Sequence, residues 1–303
     1  MAYVQRLSTA FFTNILESSM EFRRAFPPGG ATTGTKAASF LVWVEEELKK
    51  FCTDRIERQV FTSASTPLET VATCVEVVRG QTIKLRDSAG LDVVYIFDNK
   101  FRRNVERCIC EARDKHVDAV KIRAQEDKWT PINCFNKAGT ERFIDEMSSA
   151  GIPSIRSLIY DDCWVSLTRN TTSFALSYLN LADSLLKLFN PSTRALVNET
   201  LVTVFHSHLR HIEQAVRSER LKDVDPTFVQ KNACFLLDTL LSLIEHKYQE
   251  KTESECPKLG KLHSSYSWLK DGSQRPATGM RSSAGEGSTT QHKYSAAQDP
   301  NYV

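Results

Sequence analysis

Three groups of side chains in this sequence have the types that chemistry needs, and their spacing argues against chemistry in each. Asp161-Asp162 is an adjacent acidic pair. A metal-dependent helical synthase would add a third carboxylate three or four residues on, to share a diphosphate-bound magnesium, and the run through Leu167 supplies none. The pair suits a helix start better, where carboxylates meet unpaired backbone N–H groups and the positive end of the helix dipole. His206, His208 and His211 are the densest histidine group. At 3.6 residues per turn His208 and His211 share a helix face while His206 lies nearly opposite His208, so the three cannot converge on one tetrahedral metal. His208 falls on an apolar stripe and reads as a packed core histidine. Lys100, Arg103 and Arg107, with Arg102 beside them, line one basic helix face. That face could meet acidic lipid or an acidic partner, or be a solvated face of a long helix.

The remaining candidates are weaker. Eight cysteines are scattered without a Cys-x-x-Cys pair. Cys74, Cys108, Cys163 and Cys234 sit in helical patterns, and Cys108 and Cys110 point to different sides of their helix, so the thiols read as buried small hydrophobes. Asn170-Thr171-Thr172 and Asn198-Glu199-Thr200 match a glycosylation sequon, but no secretory leader is expected, and they read as chance. No phosphate-cradling glycine loop, nucleophile elbow or His-Glu-x-x-His motif occurs. The expectation is no catalytic residue, no cofactor and no metal.

Around these residues the chain has 303 positions, 41% hydrophobic and 25% charged, with a formal net charge of +2. That balance is ordinary for a globular protein and supplies no global field toward nucleic acid or membrane. No run approaches the roughly 18–20 apolar residues that cross a bilayer, which makes the cytoplasm the expected compartment.

Apolar residues recur at helical spacing almost throughout. Val4, Leu7, Phe11 and Ile15 mark a first helix, ended by Pro27-Pro28-Gly29-Gly30. Leu41, Val44, Leu48 and Phe51 mark a second, from about residue 37 to 61. Thr66 reads as the cap of a third, with Pro67 in its first turn and Glu69 completing a capping box. Val94, Phe97, Phe101, Val105, Cys108 and Ala112 carry a fourth from about 91 to 125. After Pro131, Gly139, Gly151 and Pro153, Trp164 opens a stripe through Leu167, Thr171, Phe174, Tyr178, Leu181, Leu185 and Leu188. Trp164 is expected to be buried at the start of that helix, behind the Asp161-Asp162 cap. Asn190-Pro191 ends it, and Asp225-Pro226 caps another. The fold class is therefore all-α: antiparallel helical bundles, elongated into a rod, with no segment of convincing period two. The division expected is residues 1–130, residues 131–250 continuing the rod, and a disordered tail at 251–303 whose polar composition offers no core-forming stripe.

Particular stretches resemble the exocyst complex component 8 family. They are Gly90-Leu91-Asp92-Val93-Val94-Tyr95-Ile96-Phe97, then Tyr160-Asp161-Asp162-Cys163-Trp164-Val165-Ser166-Leu167, then Phe228-Val229-Gln230-Lys231-Asn232-Ala233-Cys234-Phe235-Leu236. Phe11-Phe12, Glu17 and Glu21-Phe22 look like the family's corresponding helix, and the segments keep the family's order over about residues 4 to 250. The resemblance implies a non-catalytic subunit, or C-terminal fragment, of the exocyst, tethering secretory vesicles to the plasma membrane before fusion. It implies other exocyst subunits as partners, with vesicle and plasma membrane met indirectly and no nucleic acid. The implied location is cytoplasmic, peripherally at the plasma membrane and on secretory vesicles. The family also carries an N-terminal coiled coil and a pleckstrin-homology domain that contacts a Ral-type GTPase, and this sequence is expected to hold neither. Two alternatives remain open: a helical enzyme with a buried polar pocket, and an unrelated cytosolic adaptor.

Overall fold

The computed structural model describes residues 2–27, 33–62, 66–218 and 224–270. It is built from α1 (Ala2–Ala25), α2 (Thr33–Phe51), α3 (Arg58–Val60), α4 (Leu68–Ala89), α5 (Val94–Glu126), α6 (Lys137–Ser149), α7 (Arg169–Lys187), α8 (Arg194–Arg217), α9 (Pro226–Cys234), α10 (Ser242–Thr252) and α11 (Pro257–Tyr266). Wider π turns join α2 to α3 at Cys52–Glu57 and α9 to α10 at Phe235–Leu241. Three two-residue strands, β1 (Ile132–Asn133), β2 (Ile159–Tyr160) and β3 (Trp164–Val165), interrupt the helices midway. They form an antiparallel sheet of order β1-β3-β2, with Val165 opposite both Ile132 and Ile159.

Local sequence explains the helix ends. α4 stops at Gly90, whose φ of 65° few other residues adopt, and the Gly90 N–H closes on Arg86 O at 2.8 Å. The Arg23 guanidinium reaches Ala89 O and ties α1 to that end. α7 begins where the Thr168 hydroxyl accepts from Thr171 N at 3.0 Å. Thr168 N in turn donates to the buried Asn232 Oδ1 at 2.9 Å, so α9 fixes where α7 starts.

Packing then overrides the expected division near residue 130. α1 lies on α4, α4 on both α5 and α7, α5 on α8, and α7 on α8. Helices from before and after the junction share one core, and all described residues fall in one unit. Polar links cross the same seams: Arg79 pairs with Asp98 at 3.2 Å and donates to Phe189 O at 3.2 Å, Lys187 donates to Thr73 Oγ1 at 3.2 Å, and Lys251 pairs with Glu76 at 3.6 Å. Burial pushes the Asp98 carboxyl above the usual carboxylate range, against the pull of Arg79.

The tail boundary also moves. Ordered structure continues past residue 250 into α11 and a final 3-10 turn, Ser267–Leu269. Cys256, Leu259, Leu262, Tyr266, Trp268 and Leu269 are buried there, and α11 lies against α8 and the π turn. Pro257 supplies the first turn, and Leu259 and Leu262 step by three onto one face. Lys270 and His263 both reach Asp238, at 2.9 and 3.2 Å, and their hydrogen bonds outweigh its partial burial to hold that carboxyl below its ordinary value. The rest of the expected tail, from residue 271, lies outside the described residues.

Candidate interaction surfaces

Asp161 and Asp162 do not cap a helix. They form the turn of the β2–β3 hairpin, both exposed and both left-handed, at φ 48° and 57°. Aspartate tolerates that conformation better than most residues, which is why the pair makes a turn. Cys163 N closes on Asp161 O at 2.8 Å, and the Thr140 hydroxyl donates to Asp162 O at 2.8 Å, binding the hairpin to α6.

Trp164 consequently stands on β3 and not in a helix. It pairs across to Asn133 and Tyr160 and is half-buried, while its neighbour Val165 is fully buried. The helical stripe begins only past the Thr168 cap. Thr66 likewise does not cap α4. Pro67, extended at ψ 142°, occupies the cap position without a side-chain bond, and its carbonyl accepts from Thr70 N at 3.0 Å and Val71 N at 3.2 Å. Asp225 does cap α9, accepting from Thr227 N at 2.9 Å ahead of Pro226.

The basic face of α5 is partly neutralised by its surroundings. Lys100 pairs with Glu57 at 3.5 Å, and the same carboxylate accepts from Asn104 Nδ2 at 3.0 Å. Arg107 pairs with Glu111 at 2.9 Å and reaches Phe61 O at 3.5 Å, and the neighbouring Arg102 pairs with Glu106 at 2.8 Å. Arg103 alone of the three is an exposed cation without an ion pair among the described residues.

The histidines diverge in role. His208 is buried against Phe174, with ring centroids 4.0 Å apart and planes nearly parallel, and neither ring nitrogen has a hydrogen-bond partner. Burial first, then the nearby His211 and Arg123, push its pKa down to about 3, so it is neutral at physiological pH. His206 instead faces a shallow groove of about 490 Å³ between α5 and α8, with Arg210 and Lys121 on its rim and Val117 and Val120 on its floor. Partial burial and then Arg210 lower the His206 pKa. Among the described residues no group of three or more His, Cys, Asp or Glu is placed to hold a metal. Burial pushes the Cys52 thiol up to about 12, which removes its nucleophilic thiolate.

A further exposed feature escaped the periodicity argument. Leu41, Val42 and Trp43 on α2, and Tyr95 at the start of α5, are large apolar side chains left open to solvent. In α2 the buried residues are Val44, Leu48 and Phe51. The spacing of Leu41 with Val44, Leu48 and Phe51 predicts its burial, but Leu41 is exposed, because three consecutive apolar residues cannot all face inward from one helix. That triplet was the available signal.

Comparison with known proteins bears on this helical assembly. Residues 1–94 match a family model described as exocyst component 84 C-terminal. Exocyst complex component 8 of Rattus norvegicus is 29% identical over 253 residues, 82% of this chain and 34% of its own length. The Homo sapiens protein of that name is 28% identical over the same span, and that of Xenopus laevis 27% identical over 265 residues. The chain thus spans about a third of the length of the curated relatives it matches. No solved structure matches it significantly.

Proposed function

We propose, from its similarity to exocyst complex component 8 and from the match of residues 1–94 to the exocyst component 84 C-terminal family model, that this chain serves as a non-catalytic part of the exocyst, holding other subunits by protein contacts. In that role it contributes to tethering secretory vesicles to the plasma membrane. The observation that carries the reading is the extent of the similarity: 253 residues, including far more than the 94 matched by the family model. The likeness therefore accompanies the whole helical core and not one helix.

The physical character of the surface supports a binding role. Exposed Leu41, Val42, Trp43 and Tyr95 are the kinds of side chain that become buried when partners dock. Among the described residues no helix is long and apolar enough to cross a membrane. The place of action is the cytoplasm, peripherally at the plasma membrane and on secretory vesicles. A packed helical assembly fixes distance and direction between what it holds, because close-packed protein interiors have low compressibility and transmit strain.

Affinity purification of the tagged chain from its native cells, read by mass spectrometry, tests the proposal. The expected result is enrichment of several exocyst subunits together. Recovery of the chain with none of them would overturn it.

A further inference from the structure

A cavity of about 510 Å³ opens where α5 ends, β1 begins and α7 starts, and four independent features meet there. The first is charge. Arg123, Lys128 and Arg169 line it, and none forms an ion pair among the described residues. Of the two carboxylates in the lining, Asp127 has both oxygens engaged, accepting from Trp129 N at 3.1 Å and from Asn170 Nδ2 at 3.0 Å. Three cations therefore face two carboxylates, an excess of one positive charge.

The second feature is Asn170. It is only 8% exposed, and its bond to Asp127 fixes which end of the amide is the donor, because an ionised carboxylate only accepts. The other end, Oδ1, has no partner. An acceptor buried this way costs about 1–3 kcal/mol, which an entering N–H would recover.

The third is Phe135, 84% exposed on the rim, the most open large apolar side chain among the described residues. Its backbone is left-handed at φ 65°, and the Asn133 side chain holds it there by accepting from Phe135 N at 2.7 Å. The chain keeps an unfavourable conformation that presents a phenyl ring to solvent. The fourth is β1. Ile132 and Asn133 line the cavity, and their strand lies at the edge of its sheet with β3 on one side only.

We propose that this cavity docks an extended, acidic segment of a partner protein, laid beside β1 with an apolar side chain against Phe135. The charge excess selects acidic residues. The unpaired Asn170 oxygen and the strand edge both select extended backbone, since a helix has already used its N–H groups internally. The apolar rim selects a side chain that a bare anion lacks. The proposal rests on the reading that the chain acts through protein contacts, and it names one such contact.

The test uses the full chain and a fluorescein-labelled peptide of alternating Asp and Leu, followed by anisotropy. Wild type is expected to bind it in the micromolar range, more weakly as salt rises. Phe135→Ala and Arg169→Glu should each weaken binding at least about tenfold, and Lys84→Glu, on an exposed position of α4 that contributes nothing to the cavity lining, should leave it unchanged. Both cavity positions are exposed, so unchanged circular dichroism melts will show that the fold survives. The proposal is overturned if both variants bind like wild type, or if an alternating Lys and Leu peptide binds as tightly. It is equally overturned if the variants lose only flotation with phosphatidylserine vesicles, or only self-association seen by light scattering. Failure of wild type to co-purify exocyst subunits would end the functional reading while the peptide result still decides the cavity. Equal subunit recovery by wild type and both variants, with peptide binding also unchanged, would end the cavity proposal alone.

Discussion

The α7–α8 pair and the α1–α2 pair are both helical hairpins of similar length, but they bury different things. α7 turns Phe174, Tyr178, Leu181 and Leu185 into a region closed by Phe205, Leu209 and Ile212 of α8, and even Tyr178 finds a partner inside, donating to Leu201 O at 2.9 Å. α1 buries only the narrow line Val4, Ser8, Phe12, Ile15 and Ser19. α2 is held to it largely by rings, with Phe11 stacked on Phe51 at 4.1 Å and Phe22 on Phe40 at 4.5 Å. A helix enclosed on several sides contributes to the global stability of the fold. One attached along a single face opens locally at lower cost and keeps its other face for partners.

The comparison breaks most severely if the central pair proves independent of α11. Ending the chain after Thr252 removes Leu259, Leu262, Tyr266, Trp268 and Leu269 from their places in the core. Each such side chain is worth roughly 1.5–3 kcal/mol against a net stability of about 5–15 kcal/mol. The truncated chain should lose its cooperative urea transition, and a normal transition would show that the centre stands without this cover.

A single side chain sharpens it next. Phe205 packs at 5.2 Å on Tyr178 and 5.8 Å on Phe174. Phe205→Ala should cost about 3–5 kcal/mol, read from denaturant midpoints at constant slope.

Acid should act through the centre as well. His208 has a folded pKa lowered to about 3, below its unfolded value near 6.5, so the folded state favours the neutral ring. Its contribution is present above about pH 6.5 and is lost progressively as pH falls below that, by at most about 1.4 kcal/mol per unit. Stability measured between pH 7 and 5 should fall, and His208→Leu should flatten the slope. An identical slope in the variant would remove His208 from the account.

The smallest effect belongs to the periphery. Trp43 is 40% exposed, and Trp43→Ala should shift stability by no more than about 0.5 kcal/mol. A loss approaching that of Phe205→Ala would erase the contrast between the two hairpins.

The long helices were legible because their apolar spacing is local information. Phe174, Tyr178, Leu181 and Leu185 follow one another at three and four, and they are buried as that spacing predicts. The spacing carries the stripe back to Trp164, five residues ahead of the first residue of α7, because Trp164 and Leu167 keep step with Thr171 without belonging to its helix. What separates them is the pairing of Val165 with Ile132, more than thirty positions away, and a cap set by Asn232 from another helix. Neither is visible in a window of neighbouring residues. α11 was hidden differently, its two leucines averaged into a long polar stretch. At the basic face, the helix side shared by Lys100, Arg103 and Arg107 was readable, but the carboxylate of Glu57 that quiets Lys100 comes from the end of the preceding π turn.

The cover that α11 gives α8 also sets an order in time. A ribosome adding roughly 5–20 residues per second makes α8 well before Leu259 and Leu262 follow. For roughly 2–8 s at those rates the nascent protein holds α8 with part of its apolar surface uncovered, Glu213 still lacking the Tyr266 hydroxyl that meets it at 3.3 Å. That interval is when chaperones have most to hold, and when crowded nascent chains are most prone to stick to one another.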